Sequence, residues 1–326
     1  MQKYIAARLL LALPTVILIT VLTFLFLRVL LPQDVIDLIL REYGKSDPKL
    51  RADMEKQLGI SGDLSTQYLE WTGVAWFWGD ERGILQGDLG KSLHTDRPIT
   101  NELKRRVPVS LELGLWAQAT ALVTAVPLGV WSALRQDRWP DYGLRSVAIL
   151  LNAIPGFWLA VVIITFGSLW FHWAPSIDYK DIFSDPVAHF KIMWLPALLI
   201  GLTPSGGLLR LVRTQMLEVL RQDYIRTAQA KGLSQGTVLY KHALRNALLP
   251  VVTVIGVGLP NVIGGTVLYE QIFTIPGMGR YLVDSVTRLD YPVIMGLNLV
   301  FAMLLVLSVI LVDVSYAFLD PRIRFR

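Results

Sequence analysis

Six stretches of this chain are apolar for longer than a soluble core helix needs: 9–31, 109–134, 146–171, 192–212, 247–269 and 292–316. A helix requires about 20 such residues to cross roughly 30 Å of hydrocarbon. The stretches 146–171, 247–269 and 292–312 each hold an uncharged core of at least 21 residues. The expected fold class is therefore an all-α integral membrane protein with six transmembrane helices. Composition agrees: of 326 residues 53% are hydrophobic and only 17% charged, where a soluble domain is nearer a quarter charged. The weakest expectation is 192–212, which Pro196, Pro204, Gly206 and Gly207 interrupt and Arg210 ends.

Lys and Arg in short connections set the direction of insertion. Lys3 and Arg8 precede the first span, and Arg135, Arg138 and Arg145 lie between the second and third. Arg210, Arg213, Arg221, Arg226, Lys231, Lys241 and Arg245 lie between the fourth and fifth, and Arg322, Arg324 and Arg326 close the tail. The alternate connections hold fewer: Lys180 and Lys191, then Arg280 and Arg288. This places both termini and the 210–246 segment in the cytoplasm. Arg28 breaks the pattern from the outer end of its helix, where it can snorkel. The net charge of +5 and pI near 9.4 thus describe membrane topology and not a nucleic-acid surface. The opening Met1-Gln-Lys3-Tyr-Ile-Ala-Ala-Arg8 has the start of a signal peptide. The run behind it is too long and no small-residue cleavage site follows, so a retained signal anchor is expected.

The first outer region, 32–108, mixes charges of both signs. Ser46-Asp47-Pro48 through Gly59 carries an N-cap, a first-turn proline and a terminal glycine, the signature of a helix. Tyr68, Trp71, Trp76, Phe77 and Trp78 follow as an aromatic cluster, which suits either a membrane-interface belt or contact with a docked partner. Gly87-Asp-Leu-Gly90-Lys91-Ser92 imitates the end of a phosphate loop, but Leu85 stands where the first glycine belongs and no strand precedes it. His94, His172, His189 and His242 have no metal-ligand spacing and read as solvated or interfacial. No cysteine is present, which excludes disulfides and thiol chemistry. Glu112 and Asp313 are costly near a bilayer and are expected to pair with a basic side chain or to cap backbone. Asn152, Asn261 and Asn298 read as interhelical hydrogen-bonding groups, with the lining of a pathway as the alternative, strongest for Asn261.

The 217–245 stretch is too charged for lipid yet well patterned. Asp223 is placed to cap a turn. Tyr224, Ile225, Ala228 and, beyond Gly232, Leu233 recur at helical spacing on one face, and Gly232 is placed to stop the helix and reverse the chain. A short helix lying across the inner membrane face is expected, resting on anionic lipid or serving as a docking surface. Its Arg226-Thr227-Ala228-Gln-Ala230-Lys231-Gly232-Leu233, with Leu249-Pro250 further on, resembles the coupling loop of binding-protein-dependent ABC importer permeases, in the form used by the dipeptide, oligopeptide and nickel branch. The first two residues depart from the general Glu-Ala-Ala form, and the longer spacing to Leu-Pro suits that branch. Further stretches are similar to it: Gly87 to Ser92 with Arg97-Pro-Ile, Pro108-Val-Ser-Leu-Glu112-Leu113, Ile154-Pro155-Gly156-Phe-Trp158, Phe273-Thr-Ile-Pro-Gly-Met-Gly279 and Leu319-Asp-Pro-Arg322. Leu31-Pro-Gln-Asp34 departs from the Pro-Gly-Asp-Pro usual there.

The resemblance implies a type I ABC importer permease fold: an N-terminal transmembrane helix at 1–31, an extracytoplasmic loop region at 32–108, a five-helix core at 109–318 containing a cytoplasmic coupling loop at 213–246, and a cytoplasmic tail at 319–326. It implies that Tyr224, Arg226, Thr227, Ala228, Ala230, Lys231, Gly232 and Leu233 meet an ATPase. It also implies a homologous second permease, two ABC ATPase subunits and an extracytoplasmic solute-binding protein, in a bacterial or archaeal cytoplasmic membrane. ATP and magnesium would bind the ATPases, leaving this chain without cofactor, metal or catalytic residues. Pro250, Gly256, Gly258, Pro260, Gly264 and Gly265 make the fifth span one that packs closely or lines a cavity, and Asn261, Gly264 and Gly265 are the expected pathway or gate residues. Peptides are the expected substrate. A secondary transporter is the competing reading, opposed by the lack of paired intramembrane acids or an inverted repeat. A membrane-anchored assembly protein acting through 32–108 is another.

Overall fold

A computed structural model describes residues 2–30, 63–78 and 82–319. The expected helix at 46–59, the turn at 31–34 and the tail beyond 319 lie outside them. The described residues are helical apart from turns and one isolated bridge, Lys91 with Pro98. Among the described residues three helices are long and apolar enough to cross a membrane: Ile99–Leu134, Pro186–Leu220 and the Tyr291–Val312 part of the last helix. A fourth span forms if the bent pair Trp139–Ala153 and Gly156–Phe171 is taken together. The chain divides into two compact units, residues 1–109 with 276–310, and 110–275 with 311–326.

In the first unit, α1 (Gln2–Leu30) buries Phe24 among Tyr68, Trp71, Leu282, Ile294 and Met295. Thr20 Oγ1 shares a 2.8 Å hydrogen bond with the Tyr68 hydroxyl, and the Tyr68 ring meets Phe24 edge-on at 5.4 Å. The aromatic cluster therefore divides. Tyr68 and Trp71, on α2 (Leu64–Thr72), turn inward, while Trp76 and Phe77 stay exposed. Asp63 caps α2, accepting from Ser65 N and Thr66 Oγ1, and Gly73 ends it at φ 79°. The phosphate-loop look-alike has a structural use. Gly87 and Gly90 hold positive φ, so the turn brings Ser92 Oγ and Leu93 N to the buried Asp290 carboxylate at 2.6 and 3.2 Å. Beside them a cavity of about 240 Å³ is lined by Glu102, Arg106, Tyr281, Arg288 and Asp290 among others. Arg106 stacks on the Tyr281 ring at 4.4 Å and bonds Glu102 at 3.2 Å. Burial first, then the charges of Asp290 and Glu102, push the Tyr281 hydroxyl up to about 12 against the pull of Arg106.

The second unit is built on helix packing. After α3 (Ile99–Leu134), α4 (Trp139–Ala153) and α5 (Gly156–Phe171) meet at 92°. Pro155 lacks an N–H and biases its predecessor to extended backbone; Ile154 sits at φ −93°, ψ 123° and Pro155 becomes the N-cap of α5. The single expected span at 146–171 is thus two helices, the geometry of a broken span or of a re-entrant loop. The segment read as weakest is by contrast one unbroken helix, α6 (Pro186–Leu220), which carries Pro196 and Pro204 inside it. Two of its glycines are contact points. A Cβ on Gly201 would stand 2.4 Å from Ala117 O on α3, and one on Gly206 would stand 2.4 Å from Ala148 O on α4. Small residues allow such close approach where lipid supplies no hydrophobic drive between helices. Asn152 donates to Ala148 O of its own helix and abuts Gly206, so the expected interhelical hydrogen bond is replaced by a steric contact.

At one end of this unit, the fully buried Asp141 accepts from Arg213 Nε and Nη2 at 2.6 Å each, Ser132 Oγ at 2.5 Å and Asp137 N at 3.0 Å. Glu112 pairs as expected, through His189 Nε2 at 2.8 Å. The ring's Nδ1 faces Lys180 O at 2.8 Å. His189 is buried and not solvated, with Glu112, distant in sequence, and the nearer Lys180 carbonyl as its partners.

Candidate functional site

The polar helix forms where its sequence places it. Helix α7 (Asp223–Ala230) is capped by Gln222 at φ −71°, ψ 148°, without a side-chain cap bond. Asp223 is the first helical residue and not the cap; its carbonyl accepts from Thr227 Oγ1 at 3.0 Å. At the other end Gly232 N donates to Gln229 O at 2.9 Å and Leu233 N to Ala228 O at 3.4 Å. This pair of bonds around a left-handed residue is the Schellman stop, and Gly232 supplies it at φ +77°. A Cβ there would meet nothing within 4 Å, so glycine answers a backbone demand and not a steric one.

Ile225 and Ala228 are the buried face of α7, packed in one cluster with Met216, Val238, Ala243 and Ala247. Tyr224 and Leu233, read from spacing as their companions, are exposed. So are Arg226, Thr227, Ala230, Lys231 and Gly232. Of the eight residues expected to meet a partner, Ala228 alone faces inward, and Ile225, not among them, is the anchor. The Tyr224 hydroxyl accepts from Asn246 Nδ2 at 2.9 Å, a link that sequence spacing did not suggest. Ser234 Oγ accepts from Thr237 N at 3.3 Å and starts the return. Val238–Leu244 then winds as a π-helix into α8 (Arg245–Ile272). The outward surface is basic, with Arg221, Arg226, Lys231, Lys241 and Arg245 exposed along it.

Helix α8 runs unbroken past Pro250 and Pro260. Gly264 and Gly265 are exposed on it, and a Cβ on either meets nothing within 4 Å. Asn261 lies on the same helix, and its side chain lies outside the described residues. The close-packed glycine of this helix is Gly256, where a Cβ would stand 3.0 Å from Val312. Two α8 residues were missed by the reading of intramembrane polar groups. Thr266 and Glu270 are fully buried, and Glu270 accepts from Ser110 Oγ at 2.7 Å. Glu270 falls one residue beyond the apolar run, and an acid at that edge was the available signal.

Long apolar helices, a sharply bent helix pair and a basic helix held outward by two buried side chains suit a multi-pass membrane protein. The comparisons say which. Residues 125–325 match the family described as binding-protein-dependent transport system inner membrane component, and residues 1–114 match its N-terminal companion. The oligopeptide transport system permease protein AppB of Bacillus subtilis is 37% identical over the whole of both chains. Dipeptide transport system permease protein DppB of Escherichia coli is 36% identical, again over the whole of both. Di/tripeptide transport system permease protein DppB of Pseudomonas aeruginosa is 36% identical over 99% of each. The chain belongs to the binding-protein-dependent transport family, as an inner-membrane permease subunit of an ABC importer. It is a transport component and not an enzyme.

Proposed function

We propose that this permease imports peptides. It forms half of a translocation pathway with a homologous second permease, takes substrate from an extracytoplasmic binding protein and is driven by two cytoplasmic ABC ATPases that hold the ATP and magnesium. Six spans, the first at 1–31 and five more in the 109–318 core, put both termini in the cytoplasm and 32–108 outside. Tyr224, Arg226, Thr227, Ala230, Lys231, Gly232 and Leu233 form the surface that meets an ATPase, with Ala228 and Ile225 anchoring it. Asn261, Gly264 and Gly265 face the pathway. The observation that supports this best is α7 itself: a short, Schellman-stopped helix with a basic outward face, between long apolar helices, in a chain similar over its full length to peptide permeases. ATPase closure pushes α7 and tilts the spans attached to it.

Gly232→Asp tests the reading. A side chain at φ +77° strains the cap by about 1 kcal/mol, and a carboxylate set against the partner adds an unpaired charge. The assembled transporter should hydrolyse ATP without moving peptide. Assembly with normal transport would remove α7 as the coupling element. Import that survives ATP depletion and fails with a protonophore would replace the ATP-driven reading with a secondary transporter.

A further inference from the structure

The Asp141 carboxylate does more than neutralise an arginine. Its donors come from the last turn of α3 (Ser132), the connecting turn (Asp137) and α6 (Arg213), while Asp141 itself begins α4. One fully buried group therefore gathers the end of α3, the start of α4 and the last two turns of α6. Burial of a charge is tolerated only when its lone pairs are filled in this way, and the Arg213 fork fixes orientation as well as distance. Further along, where α6 ends, Arg221 Nη2 donates to Gln136 Oε1 at 3.4 Å. On the apolar side, Val130 and Ala133 share one cluster with Val212, Met216, Ile225 and Ala228. Gly129 lies so close to α6 that a Cβ would stand 2.8 Å from Leu209 O. The two residues that seat α7 thus rest on the cluster that the ion pair closes.

We propose that Asp141 and Arg213 are positioning residues for coupling: they clasp the α3–α4 turn to the end of α6, so that a push on α7 moves α3, α4 and α6 as one body. Without the clasp, α6 can slide past the turn and the push is dissipated. The inference rests on the reading of α7 as the coupling element.

A merely structural pair predicts that assembled complex, ATPase and transport fall in parallel, whereas a clasp predicts a changed ratio. In the assembled transporter reconstituted with its binding protein, Asp141→Asn should raise the ATP hydrolysed per peptide moved about tenfold, in the range of ordinary site-to-site couplings. Arg213→Lys keeps the charge and loses the fork, so it should move the ratio the same way. A wild-type ratio in the assembled variants overturns the proposal. A second measurement needs neither buried variant to fold. The chain has no cysteine, so Gln136→Cys with Arg221→Cys can be joined by a short bifunctional thiol reagent. If the two segments move as one body, the joined transporter keeps at least about half its rate, since a link between fixed points shifts no equilibrium. Loss of transport on joining a double variant that worked beforehand overturns the clasp. Normal coupling in Gly232→Asp beside an altered ratio in Asp141→Asn would instead overturn α7 as the point where the push enters, and leave Asp141 and Arg213 as positioning residues for a push that enters elsewhere.

Discussion

Adjacent glycines on α6 offer a sharp test of the helix packing. An alanine Cβ at Gly206 would stand 2.4 Å from Ala148 O and 2.5 Å from Asn152 Nδ2, both across the α4 interface, while at Gly207 its nearest neighbour is Asn152 Oδ1 at 4.0 Å. At Gly206 one of the two obstacles is backbone, so α4 and α6 have to part by roughly 1 Å to restore contact near 3.5 Å, which forfeits dispersion along the whole seam. Forced overpacking of this kind costs about 1–3 kcal/mol. Both substitutions gain up to about 1 kcal/mol of helix propensity. Gly206→Ala should therefore come out destabilised by about 1–2 kcal/mol, and Gly207→Ala neutral or slightly stabilised. Unfolding of the purified chain in detergent, followed by thermal or denaturant titration, resolves a difference of that size. Equal shifts in the two variants, or a larger loss at Gly207, would refute the packing described for α6.

Three further outcomes follow from the geometry. Ile225→Ala removes the fully buried anchor of α7; an Ile to Ala change in a packed site costs about 2–5 kcal/mol, so ATPase stimulation by loaded binding protein should collapse while the membrane helices stay inserted, and unchanged stimulation would show that α7 is seated otherwise. A cysteine at the exposed Ser65 should react with an impermeant thiol reagent in intact cells and one at the exposed Gln229 should not; the reverse pattern would invert the topology. Gly264→Leu meets open space within this chain, so its own stability should be unaffected while transport falls about tenfold through a two-state gate; transport at the wild-type rate would exclude Gly264 from the pathway.

Hydropathy read the spanning character of the chain because compatibility with lipid is a local, additive property. It ranked α6 weakest for the same reason. Pro196, Pro204, Gly206 and Gly207 look like interruptions until the helices that approach them are known. Likewise a bend at Pro155 is written locally, but its 92° is not. In the 217–245 segment the stop at Gly232 was legible, since a left-handed cap depends on the residue itself. The inward face was half legible. Over barely two turns, spacing cannot tell Ile225 and Ala228 from Tyr224 and Leu233; packing against Val238 and Ala243 decides. His189, Glu270 and Asp141 find their partners in Glu112, Ser110 and Arg213, each far away in the chain; only Glu270 is marked locally, by its place at the edge of an apolar run.

The π-helical run Val238–Leu244 fixes a phase. Each residue added to an α-helix turns all that follows by about 100°, and a π-segment is in effect an α-helix carrying surplus residue. Ser234 pins the run at one end, and the hydrogen bond from Asn246 to Tyr224 holds it at the other. The surplus is thereby stored between the short α7, whose outward surface is basic, and the long α8. Rewinding those residues into α-helix would rotate α8 on its own axis by on the order of 100°, with Gly264, Gly265 and Glu270 carried round, and no helix would need to break. A thrust received at one end of such a screw leaves the other end as torque.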